Sequence, residues 1–279
     1  MGQNENDDIE FRRDLHILIG AAIEIGGYLQ GIKYKEEGKQ LIYAEGLGKK
    51  IIHHAVTANY LFRSYQLQIE DRVYEPQVDF ASIAILVRAA WETYLMMNHI
   101  FISTKNADEL ELRFLCWHLG GYLERADAVP KNEENIKLQE AERKAIVDIT
   151  RDIQELPIFN KLTKKEKTAA LKGDCKLGKY WVELATNAGF KEDFFRLHYK
   201  FLCAYAHSSR LSVIQIQQTK DIVGQIQMAK SSLSILMPVL AKFMFEYIDL
   251  IPDLTVIAKE NKNYQTIVLY KLVAENIDK

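Results

Sequence analysis

The 279-residue chain is 48% hydrophobic and 27% charged, which is ordinary for a soluble globular protein with enough chain to bury a large core. Its formal net charge of −2 argues against binding to nucleic acid or anionic membranes through bulk charge alone. Three widely spaced cysteines without a C-x-x-C pair argue against a disulfide framework or a zinc site and favour a cytoplasmic location. The polar, acidic N-terminus predicts no signal peptide.

Scarce proline and the lack of convincing apolar alternation predict an all-α fold, a multi-helix bundle. Residues 1–8 are predicted to be a disordered lead, and residues 9–279 a single domain. Two helices are expected before a loop over residues 70–78, and Asp79 is predicted to cap the helix that follows. These first two helices are expected over residues 9–33 and 40–68.

The central stretch of the sequence is Phe80–Ile102, a helical run without Gly or Pro and with only two formal charges, Arg88 and Glu92. The run is long enough to span a membrane, but two charges at its middle predict a soluble core helix instead. Arg88 and Glu92 are four residues apart and therefore share one helix face. They form either a salt bridge that fixes helix packing or an anion site in which Glu92 orients Arg88.

The second half of the chain is also predicted to be helical. A charged, amphipathic stretch over residues 132–172 is expected to form a projecting helical hairpin. Its basic run Lys161–Lys172 has no interleaved aromatic residues and is either a solvated face or a contact for RNA or a partner protein. The remaining helices are expected over residues 106–126, around Trp181, and over 191–208, 221–250, 253–260 and 264–276, with a connector after residue 208 and a kink at Pro238.

The helix over residues 191–208 carries a stripe of Arg196, Tyr199, Cys203 and His207 on one side. This stripe is either a solvent face or a buried polar surface that needs partners. Because Arg88 and Glu92 are the best available partners, the sequence predicts a polar cluster of these two residues with Tyr199 and His207.

Three stretches resemble a group of uncharacterised all-helical bacterial proteins that is known as a domain of unknown function. They are R-A-A-W-E at 88–92, R-F-L-C-W-H-L-G-G-Y-L-E-R at 113–125 and Y-K-F-L-C-A-Y-A-H-S at 199–208. This resemblance covers about residues 80–215 and implies a helical bundle. More loosely, the chain is similar to the HEPN class of helical bundles, many of which are metal-independent ribonucleases in toxin–antitoxin and anti-phage systems.

The HEPN signature is an Arg followed after four to six residues by a His, and Arg113 with His118 matches it. The resemblance implies that the His acts as acid and base on the 2′-hydroxyl while the Arg stabilises the phosphorane charge. However, Phe114 follows Arg113 where the pattern favours a polar residue, and the two side chains diverge by about 140° on one helix. The alternative is that this segment packs while Arg113 pairs locally.

Two classes of function therefore stay open. The first is a HEPN-like protein of a prokaryotic defence or toxin-type system that acts as a metal-independent endoribonuclease on RNA, using Arg88 with His207 or Arg113 with His118. The second is a non-catalytic helical binding or scaffold protein that acts with a partner protein from a neighbouring gene. Both readings imply no cofactor, no metal and no membrane, and a homo-oligomer is expected.

Overall fold

A computed structural model describes residues 3–28, 38, 40–66, 68–251, 254 and 263–276 of the chain. Helices form most of this part, and its one sheet is a two-stranded hairpin, so the predicted all-α multi-helix bundle is confirmed. The chain divides into two compact units, where the sequence predicts a single domain. We call residues 1–97 with 189–279 the first unit, and the inserted residues 98–188 the second unit.

The helices and strands follow one another along the chain in this order: α1 (Gln3–Tyr28), α2 (Leu41–Leu61), β1 (Gln68–Ile69), β2 (Arg72–Val73), α3 (Phe80–Met97), a π-helical turn (Asn98–Ile102), α4 (Ala107–Leu123), α5 (Glu133–Glu155), α6 (Pro157–Lys161), α7 (Lys164–Ala170), α8 (Trp181–Asn187), α9 (Glu192–Ala206), α10 (Arg210–Gln218), α11 (Ile222–Leu250) and α12 (Tyr264–Asn276).

The core of the first unit lies around α3, which packs against α2, α9 and α11. Trp91 of α3 is fully buried, and its ring contacts those of Phe190 and Phe195 at centroid distances of 5.3 and 4.9 Å. Such aromatic pairs contribute about 1 kcal/mol beyond the apolar area that they bury. This contact fixes α9 beside the middle of α3, where the two charges lie.

Helix α3 begins as predicted, because the Asp79 side chain accepts a hydrogen bond from the backbone N–H of Ser82 at 2.9 Å. Together with the π-helical turn it forms a 23-residue helix, Phe80–Ile102, with a mean hydropathy of 1.3. This helix is long and apolar enough to cross a membrane by length and composition. Yet 56% of its most apolar window is buried inside the protein, as in the core helix of a soluble protein.

In the second unit, α4 packs against both α5 and α6. The predicted start of α4 is confirmed, because the Asn106 side chain accepts from the Glu109 backbone N–H at 2.9 Å. Helix α5 is strongly exposed, and Ile153 is its one buried residue. Arg125, just after α4, pairs with Glu142 of α5. The two helices therefore form a hairpin within this unit. The projecting hairpin expected over residues 132–172 stays a prediction.

Several boundaries differ from those predicted. Helix α1 already begins at Gln3, so residues 3–8 are helical rather than a disordered lead. The predicted loop before Asp79 contains the small hairpin, and the predicted connector after residue 208 contains α10. Short polar segments of this kind give weak periodicity, so their structure depends on tertiary contacts. The helix predicted over 253–260 lies almost wholly outside the described residues.

Candidate functional site

The candidate site is built from the middle of α3 and the end of α9. Arg88 and Glu92 lie one turn apart on α3, on the side that meets α9. Tyr199 lies in the second half of α9, and its ring stacks on Phe195 at a centroid distance of 4.8 Å. His207 directly follows the last residue of α9, and its backbone N–H donates to the Cys203 carbonyl at 3.1 Å.

The structure brings the four side chains together. Arg88 Nε donates to Glu92 Oε1 at 2.8 Å, and the Tyr199 hydroxyl donates to the same carboxylate oxygen at 2.5 Å. The second side of the guanidinium contacts His207, with 3.1 Å between Arg88 Nη1 and His207 Nε2. Arg88 also lies over the Tyr199 ring, 5.5 Å from its centroid. Arg88 is therefore the centre of the cluster, between a carboxylate and an imidazole.

The pKa values of Arg88 and Tyr199 are shifted because both side chains are partly buried and lie beside the negative charge of Glu92. Burial is the largest single influence on Arg88 and works against its charge, but Glu92 together with Tyr199 and Cys203 outweighs burial and raises the pKa of the guanidinium. Burial and the hydrogen bond to Glu92 raise the pKa of Tyr199, because an ionised phenol here would face a carboxylate. Tyr199 is thus a neutral donor that holds Glu92 in place, and Arg88 is a permanent cation.

His207 is the solvent-facing member of the cluster, since its residue is exposed while the other three are partly buried. A guanidinium can only donate hydrogen bonds, so Nε2 of His207 must accept in this contact. The ring is then neutral and carries its proton on Nδ1. A neutral imidazole next to a fixed cation, open to solvent, combines a proton acceptor with a group that binds phosphate oxygens.

The rest of the predicted stripe divides between two environments. Cys203 lies one turn before His207 and is partly buried, and burial raises the pKa of its thiol. Arg196 instead is exposed and pairs with Glu192 of its own helix at 2.6 Å. The stripe is therefore partly buried at its middle, at Tyr199 and Cys203, and exposed at both ends, at Arg196 and His207.

Arg113 and His118 have separate surroundings in the second unit. Arg113 is 4% exposed and donates to the Glu109 carboxylate, to the His99 carbonyl and to the Ser103 hydroxyl. It thereby binds the end of the π-helical turn and pairs with its own helix. The His118 ring stacks on that of Tyr122, with 5.0 Å between centroids. These contacts give Arg113 a structural role, and they do not aim it at His118.

The sequence reasoning missed the π-helical turn and its buried histidine. His99 is 1% exposed, and its Nε2 lies 3.0 Å from the Cys175 carbonyl oxygen within the second unit. Burial, reinforced by the charge of Arg113, lowers the pKa of His99 to about 4. A polar Asn98-His99 pair inside an apolar run was the signal that could have found it. Among the described residues, no cluster of three or more His, Cys, Asp or Glu could hold a metal ion.

Comparison of the sequence with known protein families finds a match to one family. The sequence profile of a family of unknown function (DUF5677) matches residues 50–221, and the chain belongs to this family. The matched range contains all six candidate residues of the two predicted sites. No curated protein matches the chain, and no solved structure matches it.

Proposed function

We propose that the protein is a metal-independent endoribonuclease of a prokaryotic defence or toxin-type system, with Arg88 and His207 as its catalytic residues. One observation carries the chemical part of the proposal: the 3.1 Å contact that joins a partly buried cation to an exposed, neutral imidazole. Cleavage of RNA without a metal needs one group that accepts a proton and one that stabilises phosphate charge. The place in defence rests on the resemblance to HEPN proteins.

In this proposal the phosphate of the RNA displaces His207 from Arg88, which frees Nε2 to act as a base. Nε2 takes the proton of the 2′-hydroxyl, and the 2′-oxygen forms a bond to phosphorus. The bond from phosphorus to the 5′-oxygen breaks, and that oxygen takes a proton from water. The hydroxide that is left removes the proton from Nε2, which restores the base. Arg88 stabilises the charge on the non-bridging oxygens, and Glu92, held by Tyr199, keeps the guanidinium in position.

The test is cleavage of a labelled RNA in EDTA by the wild type and by His207→Ala. Loss of one catalytic acid–base group typically lowers the rate by 10²- to 10⁴-fold. We expect a loss in that range for His207→Ala and a comparable one for Arg88→Ala, whereas His53→Ala serves as the control because His53 is an exposed histidine on α2. No cleavage by the wild type, or equal cleavage by His207→Ala, would contradict the proposal.

The same assay separates the two histidines that the sequence singles out. His118→Ala should cleave at the wild-type rate, because Arg113 is engaged by Glu109 and by backbone carbonyls. If His118→Ala removes cleavage and His207→Ala does not, the site is in the second unit instead.

The alternative is a non-catalytic binding or scaffold protein that acts with a partner protein. It is favoured because Arg88 and Tyr199 both donate hydrogen bonds to Glu92. Residues whose role is only to fix the packing of α3 against α9 would be paired in the same way. This alternative predicts that Arg88→Ala lowers the free energy of unfolding and has no other effect. Because the pair is 18% and 25% exposed, we expect about 1–3 kcal/mol, below the cost of breaking a fully buried pair.

A further inference from the structure

A basic surface in the second unit takes no part in the site described above. It lies within residues 161–183, which we call the basic segment and which contain α7 and the start of α8. The segment has seven lysines and three carboxylates, a net charge of +4, in a chain whose net charge is −2. A local charge of this kind attracts polyanions although the whole chain does not.

The three carboxylates of the segment are all turned toward its own backbone. Glu166, Asp174 and Glu183 each accept hydrogen bonds from main-chain N–H groups within the segment, at 2.7 to 3.1 Å. Their oxygens are therefore used in capping and turn formation. The excess of lysines over carboxylates leaves the segment with its net positive charge.

The segment also contains two aromatic residues, Tyr180 and Trp181. Lys165 of α7 lies against the turn that follows, since a Cβ built on Gly178 would come 3.1 Å from its Cε. Lys176 lies over the Trp181 ring, with its Nζ 4.8 Å from the centroid. Tyr180, between Lys179 and Trp181 in sequence, is 72% exposed. The fold thus adds exposed aromatic surface to a basic run that has none in its own sequence.

We propose that the basic segment binds single-stranded RNA, with its lysines on the phosphates and the Tyr180 ring stacked on a base. Surfaces that hold single strands combine a positive track for the backbone with aromatic rings on which bases stack. A membrane surface fits less well, because membrane binding scales with buried apolar area. Tyr180 is the one large hydrophobic residue of the segment that is mostly exposed.

This inference goes beyond the proposed ribonuclease, because it concerns binding by the second unit and does not require cleavage at His207. The two are tested separately when binding is measured on full-length protein that carries His207→Ala. The probe is a fluorescein-labelled oligouridylate of about 12 nucleotides, and the readout is fluorescence anisotropy at increasing KCl concentrations.

We expect salt-dependent binding, in which each phosphate contact contributes about −0.7 to the slope of log K against log salt concentration. Lys165→Gln and Lys179→Gln should each weaken binding and make the slope shallower by about 0.7. Tyr180→Ala should weaken binding by roughly fivefold or more at an unchanged slope, since stacking on one base is lost. Tyr180→Phe keeps the ring and should keep the affinity.

The matched control is Lys137→Gln with Lys144→Gln, two exposed lysines on α5 of the same unit, which should leave the affinity nearly unchanged. The melting temperature of each variant checks that the unit remains folded. Absent binding, equal losses in the control, or equal affinity of Tyr180→Ala would overturn the inference. So would binding to phosphatidylserine vesicles in place of the oligonucleotide. Cleavage that persists in His207→Ala would refute the proposed catalytic role and leave the binding result intact.

Discussion

A charged residue on a core helix requires a partner, and at Arg88 that requirement determines the local structure. The guanidinium meets Glu92 on its own helix and His207 across the packing interface. Glu92 in turn accepts from Tyr199. One carboxylate oxygen therefore receives two charge-assisted hydrogen bonds, from Arg88 and from the Tyr199 hydroxyl. The exposed end of this chain of contacts is the imidazole of His207.

This cluster could be predicted from the sequence because helical periodicity places residues on faces, and a buried charge limits what a face can contact. The exposure of His207 could not be predicted, since it depends on where α9 ends. The pairing of Arg113 within its own helix was one of two predicted alternatives, but its backbone partner could not be predicted. Its partners include the carbonyl of His99, which lies in the π-helical turn that follows Met97.

His99 gives a prediction at the scale of one residue. Its pKa is about 4 in the folded protein and near 6.5 in the unfolded chain. Between these values the unfolded chain binds the extra proton, so stability is full above pH 6.5 and decreases as the pH falls toward 4. The complete loss attributable to this residue is about 3 kcal/mol.

The measurement is the free energy of unfolding of the wild type and of His99→Gln between pH 7 and pH 4.5. Gln does not titrate and keeps a donor for the Cys175 carbonyl. We therefore expect the variant to lose less stability than the wild type over this range. Parallel curves for the two proteins would show that His99 does not titrate as its burial implies.

At the scale of elements, long helices were predictable and their junctions were not. The charged periodicity of residues 132–155 and the caps at Asn106 and Asn132 locate α4 and α5 nearly to the residue. The hairpin of β1 and β2 has strands of only two residues, too short to show a period. Helix α10 was not predicted, because its one buried residue is the polar Ser212 and the helix has no apolar face toward the core.

The close approach between α4 and the turn after α7 gives a second prediction about stability. A Cβ on Gly120 of α4 would come 2.6 Å from the Gly173 carbonyl oxygen, closer than real contacts allow. Gly173 itself has φ of +74°, and a Cβ there would lie 2.4 Å from Gly120 Cα. The backbone of α4 thus touches the turn after α7, and neither partner of the contact is a flexible side chain.

Gly120→Ala should therefore destabilise the protein by about 1–3 kcal/mol, as expected for overpacking against backbone. The neighbour Gly121 is the control, because a Cβ there meets no atom within 4 Å. Gly121→Ala should be neutral or stabilise by up to about 1 kcal/mol, the helix propensity of Ala over Gly. Denaturant unfolding of both variants measures the difference, and equal effects would contradict the close approach.

At the scale of the whole molecule, the second unit is an insertion between the two segments of the first. The ends of these segments are near each other, since the rings of Tyr94 and Phe190 lie 6.0 Å apart, close to the points where the chain leaves and returns. The helices that pack against α3, which are α2, α9 and α11, all belong to the first unit. Such a unit is expected to fold alone.

Replacement of residues 98–188 by a linker of about eight Gly and Ser residues tests this expectation. The variant should unfold cooperatively, with an enthalpy of about 130 kcal/mol near 60 °C, the value expected for the 188 residues of the two segments. Trp91 becomes its only tryptophan and, being fully buried, should emit at short wavelength. The variant should also lose oligouridylate binding, because the basic segment is deleted, while Arg88 and His207 keep their contact. A broad transition with red-shifted emission would show instead that the core around α3 needs the inserted unit.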